Sequence, residues 1–155
     1  MLSDQPFLWE MLYQSLHVPE GGSPFPRDVV NQPELAKYAR AWGRGGDIGL
    51  VAVDVGSDEP IGAAWLRLLT GDERGYGYVD DETPELGMAV LPEYRGRGIG
   101  SDLLGHLLKS IRAVYPSVCL SVAADNPAAR LYERAGFGRA GECGASLTMV
   151  KRLSV

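Results

Sequence analysis

Cysteine is scarce in this chain of 155 residues, and its two copies, Cys119 and Cys143, are too few and too far apart for a disulfide framework or a metal cluster. They suit buried thiols in a reducing cytosol. Histidine is equally rare, and neither His17 nor His106 stands in a recognisable catalytic constellation. Basic residues are outnumbered, leaving a formal net charge of −5, which excludes the broadly basic surface that a nucleic-acid partner demands. No apolar run approaches the roughly 20 residues of a membrane span. Asp4 and Glu10 stand where an export signal would carry basic residues, so a cytoplasmic chain with no membrane, nucleic-acid or metal partner is expected.

What is present is ordinary in bulk and unusual in one place. Apolar residues at 45% and charged residues at 23% are the proportions of a folded globular protein, and the length suits a single domain over 1–155. The unusual place is Glu85 to Leu104, ELGMAVLPEYRGRGIGSDLL, which begins as an apolar strand and passes Pro92 into a basic turn with Gly96, Gly98 and Gly100. It leaves as an amphipathic helix. Glycines let a backbone approach a ligand closely, successive N–H groups in such a turn make a concave nest, and the helix N-terminus adds its positive dipole end. Arg95 and Arg97 add charge, and the stretch reads as a phosphate cradle. A Walker loop is excluded because no Lys-Ser/Thr pair follows the last glycine. A dinucleotide fingerprint fits poorly because the glycine spacing is one residue too tight and no second βαβ half follows.

Around the cradle the periodicities give an order of elements. Ser3 or Asp4 caps a first helix with Leu8, Met11, Leu12, Ser15 and Leu16 on one face, widened by Trp9 and Tyr13. A Pro- and Gly-rich loop from Val18 to Arg27 precedes a second helix that Pro33 opens, with Leu35, Tyr38, Ala39 and Trp42 at helical spacing and Gly43, Gly45 and Gly46 stopping it. Segments 48–54 and 60–69 read as a hairpin. Thr70 to Pro84, with four of the chain's glycine and proline residues and the acids Asp72, Glu73, Asp80, Asp81 and Glu82, reads as a mobile loop. After the 85–90 strand and the cradle helix, Val118, Leu120 and Val122 mark a strand that must run parallel to the first. Asn126-Pro127 starts a short helix that Gly136 ends, and 137–153 divides at Gly141 and Gly144 into a last hairpin.

Two motifs in this order resemble a known family. Arg95 to Gly100 is similar to the R-x-x-G-x-G pyrophosphate signature of the GNAT acetyltransferase superfamily, and Asn126 to Phe137 resembles that family's N-x-x-A-x-x-x-Y-x-x-x-G-F segment. The resemblance implies the GNAT acyl-CoA N-acyltransferase fold. That is an α/β (α+β) architecture with a mixed, mostly antiparallel twisted sheet of six to seven strands, one splayed parallel pair and about four helices. It implies acetyl-CoA as cosubstrate, with no metal, and an N-acetyltransferase acting on a small-molecule or peptide amine by direct attack in a ternary complex. It also admits a homodimer.

The same resemblance distributes roles. Backbone N–H groups of Arg95, Gly96, Arg97, Gly98, Ile99 and Gly100 would hold the diphosphate, main-chain groups of Met88 and Val90 the pantetheine arm, and Asn126 would lie near that arm. An N–H near Met88 or Ala89 would face the oxyanion. Glu85 would take the proton of the amine, with Asp80, Asp81 and Glu82 as competing bases. Tyr132 would protonate the leaving thiolate, a suitable match because a phenol of pKa about 10 is an adequate acid for it. Cys119 lacks a cationic neighbour in sequence to make it a nucleophile. The acidic loop would draw cationic acceptors, and Trp9, Tyr13, Phe25, Tyr76 and Tyr78 would wall them. A non-catalytic acyl-CoA sensor or interaction module, and a nucleotide-binding protein, are the alternatives.

Overall fold

A computed structural model of the chain describes residues 5–18 and 21–153, so the Ser3 or Asp4 cap lies outside the described residues, as does the Cys143 side chain. Helix α1 (Gln5–Gln14) is followed by a 3-10 turn (Arg27–Asn31) and one helical turn, α2 (Pro33–Ala36). Then come β1 (Ile48–Val53), β2 (Pro60–Arg67), β3 (Glu85–Val90), α3 (Ile99–Ile111), β4 (Ser117–Ala123), α4 (Ala128–Arg134), β5 (Gly138–Cys143) and β6 (Ser146–Arg152). The strands make one six-stranded sheet in the order β1-β2-β3-β4-β6-β5, antiparallel except between β3 and β4.

Alternation along the strands divides two cores between the faces of that sheet. Ala64 and Leu66 of β2, Val118, Leu120 and Val122 of β4 and Leu147 and Met149 of β6 pack with the α3 stripe Leu103, Leu104, Leu107 and Ile111 and with Tyr132 and Phe137. The intervening residues Ala63 and Trp65 of β2 and Ala89 of β3 turn to the other face, against Leu8, Met11 and Leu12 of α1 and Tyr38 and Ala39. Period two in the strands and the i, i+3, i+4 stripe in α3 suffice to build this.

The second helix is shorter than its apolar spacing predicts, because a buried cation needs its carbonyls. Arg67, at the end of β2, is 1% exposed and donates from Nη1 to the carbonyls of Lys37 and Arg40. Its Nε and Nη2 make a two-point contact with Asp47 at 3.1 and 2.7 Å. A guanidinium has five donors, and burial requires that they find acceptors. The chain after Ala36 opens into turns, with Ala41 at φ 55°, in place of a continuing helix that would keep those carbonyls for itself.

The Thr70–Pro84 segment was expected to be mobile but is fastened at several points. Glu73 pairs with Arg44 at 2.8 Å and Arg40 at 3.1 Å, Lys37 Nζ donates to the Arg74 carbonyl at 2.6 Å, and the Tyr76 N–H donates to Tyr38 Oη at 2.8 Å. Gly77 lies so close to β4 that a Cβ there would stand 2.7 Å from the Leu120 carbonyl carbon.

β3 and β4 meet only at their beginnings. The Cys119 N–H donates to the Pro84 carbonyl at 3.0 Å, Glu85 registers with Cys119, and the strands then part. The Leu91 N–H donates to Ile61 across β2, so in that antiparallel ladder the pairs Ala63/Ala89 and Trp65/Gly87 exchange hydrogen bonds. Met88 and Val90, one residue out of phase, direct their main-chain groups toward the opening. By the same parity, set by the Leu153 N–H on Pro116, Ser121 and Ala123 of β4 face it from the other side.

Candidate active site

The opening between β3 and β4 is the floor of a cleft of about 1120 Å³. One end is the cradle: Gly96, Gly98, Ile99, Gly100 and Ser101 line it. Gly96 and Gly98 take left-handed backbone angles, φ 77° and 80°, which turn the chain sharply out of the 3-10 turn Pro92–Tyr94 into α3. α3 has no side-chain cap, and no main-chain N–H from Gly96 to Ser101 has a partner among the described residues. Unpaired N–H groups at the positive end of a thirteen-residue helix make a site for an anion.

The middle of the cleft runs along Met88 and Val90. The Val90 carbonyl is already taken by Arg95 Nε at 2.9 Å, which leaves the Met88 N–H and C=O and the Val90 N–H for a ligand. Asn126 and Tyr132 line the facing wall. Asn126 Oδ1 accepts from the Ala128 N–H at 2.9 Å and so caps α4. Tyr132 is held by packing, its ring edge-on to Phe137 at 5.8 Å, and its hydroxyl has no hydrogen-bond partner among the described residues. Burial pushes its pKa up to about 12.

The other end is walled by Tyr13, Phe25, Tyr38, Trp65 and Tyr76, with Glu85 at its base. Glu85 is 4% exposed. Tyr38 Oη donates to its Oε2 at 2.6 Å and the Gly77 N–H donates to its Oε1 at 3.2 Å. Burial raises the carboxyl's pKa above its usual range, against these two hydrogen bonds and the Lys37 charge, which lower it. Trp65 lies flat over Gly87, where a Cβ would stand 2.7 Å from its ring, and its buried Nε1 has no partner among the described residues.

Several expected residues are engaged in other contacts or lie outside the cleft, although Ala89 and Arg95 still border it. Ala89 belongs to the ladder with Ala63, so its N–H faces β2 and not the cleft. The Arg95 N–H is spent on the Pro92 carbonyl at 3.3 Å, and its guanidinium turns to Val90 and to Gln14 of α1. Arg97 lies over the Tyr94 ring, donates to the Glu93 carbonyl and does not line the cleft. Nor do the loop acids: Asp81 accepts from Tyr78 Oη, Asp80 from the Glu82 N–H, and Glu73 is bound by Arg44. Trp9 and Tyr78 are likewise absent from the wall. Tyr38, the partner of Glu85, read only as a core residue from its helical spacing, because 47 residues separate the two and no motif spans them.

An acetyltransferase (GNAT) domain family model matches residues 45–139, more than half of the chain. This chain belongs to the GNAT acetyltransferase family. Its activity is acyl transfer in class, and GNAT acetyltransferases use acetyl-CoA. No curated protein matches the sequence. Among solved structures, it is similar to a protein from Bordetella pertussis assigned to the GnaT-family acetyltransferases, with TM-score 0.67 and 24% identity over 94% of this chain and 88% of that one. It is also similar to the ribosomal-protein-S18-alanine N-acetyltransferase of Escherichia coli, with TM-score 0.62 and 19% identity over 100% and 91%. A spermidine N-acetyltransferase chimera from Vibrio cholerae and hSSAT aligns with TM-score 0.61 and 21% identity over 99% and 93%. At these identities the likeness shows the fold.

In this GNAT chain the left-handed angle at Gly98 is a quantitative handle on the cradle. A Cβ there meets nothing within 4 Å, so the cost of Gly98→Ala is conformational, about 1–2 kcal/mol. The expected outcome is that this cost appears as a lower Tm where the turn keeps its angle, or as an acetyl-CoA KM raised up to roughly tenfold where the free turn relaxes, since 1.4 kcal/mol is a factor of ten. An unchanged Tm together with an unchanged KM in steady-state kinetics would show that the left-handed angle matters to neither the fold nor the cosubstrate. Among the described residues no helix is long and apolar enough to cross a membrane, and no group of His, Cys, Asp and Glu is placed to hold a metal ion.

Proposed function

We propose that this chain is an acetyl-CoA-dependent N-acetyltransferase in which a primary amine attacks directly within a ternary complex. The observation that carries the reading is the parting of β3 from β4. It leaves main-chain donors and acceptors of Met88 and Val90 without a strand partner beside an uncapped helix N-terminus, and such groups call for a ligand. The Gly96–Ser101 N–H groups would hold a diphosphate, and the Met88 C=O and Val90 N–H would pair with an amide-bearing arm as an added strand does. Asn126 would border that arm. When bound, the cosubstrate supplies an activated acetyl thioester.

Glu85 and Tyr132 open on the same cleft and divide the proton transfers. An amine of pKa about 10 is held as ammonium at neutral pH and cannot attack. Glu85, its pKa raised by burial, accepts the ammonium proton and passes it to solvent. As the nitrogen–carbon bond forms the nitrogen sheds a second proton. Tyr132 gives its proton to the sulfur as the carbon–sulfur bond breaks, leaving an amide and a free thiol, and its phenolate takes up the proton shed by the nitrogen, which restores the phenol. The Met88 N–H is the donor for the acetyl oxygen. Cys119 takes no part: it is fully buried, Sγ points at the Pro84 carbonyl at 3.4 Å, and burial beside Glu85 holds its pKa far above the usual thiol range.

The test is thermal unfolding with acetyl-CoA, CoA, ATP or NAD. At 100 times its dissociation constant a ligand adds about 2.7 kcal/mol of stability. The acyl carrier and its thioester are expected to raise Tm, ATP and NAD to leave it unchanged; the reverse pattern would sink the assignment.

A further inference from the structure

We infer that the acceptor end of the cleft takes a primary amine carried on a short alkyl arm of an aromatic ring, with a single positive charge. This rests on the N-acetyltransferase reading of the same cleft and narrows it to a substrate class. The first ground is shape. Five aromatic side chains, Tyr13, Phe25, Tyr38, Trp65 and Tyr76, contribute to the wall around Glu85. Three of these rings are held by the fold: Tyr13 Oη donates to the Phe25 carbonyl at 2.6 Å, Tyr38 Oη is fixed between Glu85 and the Tyr76 N–H, and Trp65 is pressed on Gly87. Phe25 and Tyr76 nevertheless remain 42% and 46% exposed, a large aromatic area left for another ring to cover. Rigid ring faces and edges favour a flat partner over a flexible chain of equal area.

The second ground is charge. Among the described residues Glu85 is the single carboxylate lining the cleft, which matches one ammonium. A second ammonium on the acceptor would find no counter-charge there. Outside the lining, Lys37 Nζ lies 5.4 Å from the centroid of Tyr76 and 5.8 Å from that of Tyr38, a nearby charge of the same sign. The acids of the 72–82 loop give no relief, since none of them lines the cleft and Glu73 is paired with Arg44. Like charges in a partly desolvated cleft repel more strongly than in water, so polyamines and aminoglycosides are selected against.

The experiment measures acetyl-CoA-dependent thiol release with 2-phenylethylamine, hexylamine, spermidine and an alanine-terminated peptide. Calorimetric titration of 2-phenylethylamine into the protein with CoA present is run alongside. The expected kcat/KM for 2-phenylethylamine exceeds that for hexylamine roughly tenfold and that for spermidine roughly a hundredfold. Phe25→Ala, at a half-exposed rim position, should raise the KM for 2-phenylethylamine about fivefold, narrow its lead over hexylamine and leave the KM for acetyl-CoA unchanged. Preference for spermidine or the peptide overturns the aromatic assignment while the N-acetyltransferase reading stands. Calorimetric binding of 2-phenylethylamine without turnover of any amine supports the aromatic pocket and overturns the enzymatic reading. Neither binding nor turnover overturns the inference.

Discussion

Tyr132→Phe is expected to lower acetyl transfer roughly 100- to 10,000-fold, the range for loss of a positioned general acid, with little change in stability. The two halves of this expectation have separate causes. The ring fills part of the core below α3 and meets Phe137 edge-on, and phenylalanine keeps both contacts. The hydroxyl has no partner to lose among the described residues, so its removal leaves no buried group unsatisfied. Burial raises the phenol's pKa to about 12, which keeps it protonated across the neutral range and available as a donor. Single-turnover kinetics with a thermal melt checks both halves. A variant with full activity would make the hydroxyl incidental; one that failed to fold would show that the hydroxyl is a structural group.

Glu85→Gln is expected to cost a similar factor above the pKa of Glu85, where the wild-type carboxylate is ionised and able to accept a proton. Burial raises that pKa, so the acid limb of the wild-type kcat/KM profile should lie at higher pH than an ordinary glutamate, whose pKa is about 4.3, would give. The variant profile should lack this limb. The groups that lower the Glu85 pKa are the Tyr38 hydroxyl, the Gly77 N–H and the Lys37 charge, and burial outweighs them.

A stability effect of definite sign accompanies the kinetic one. A carboxyl whose pKa is raised by folding binds its proton more tightly in the native state. Its stabilising contribution is complete below the unfolded value and is lost as pH rises through the folded one. An amide has no such proton to lose, so the Tm of the variant should gain on that of the wild type as pH rises. A constant difference across the titration would mean that Glu85 is not desolvated; a wild-type acid limb retained in the variant would assign the base to another residue.

The cradle was legible because its signals are local. Glycines at 96, 98 and 100 between an apolar strand and an i, i+4 stripe specify a turn that only a few backbone angles satisfy, and Gly96 and Gly98 adopt them. The hairpins and the parallel pair followed from period two and from the length of the βαβ crossover. The acceptor end was much less legible. Tyr38 and Arg67 both looked like ordinary members of their segments, and the acids of the 72–82 loop looked free because the arginines that bind Glu73 lie 29 and 33 residues away. Among Met88, Ala89 and Val90, alternation alone rules out that all three face one side. Which of them face the opening depends on the register against β2, set by the Leu91–Ile61 hydrogen bond.

The amino-acid order by itself determined the elements that neighbouring residues control: the strands, the cradle, the helix behind it and the positions of Glu85, Asn126 and Tyr132 within them. Tertiary structure decided which groups are left without partners. β3 and β4 separate after a single registered pair, exposing Met88 and Val90, and Glu85 is buried under Tyr38 and Gly77. The physical reason is that backbone angles and hydrophobic periodicity act over a few residues. Desolvation, hydrogen-bond parity and charge pairing depend on which distant segments the packed sheet brings together.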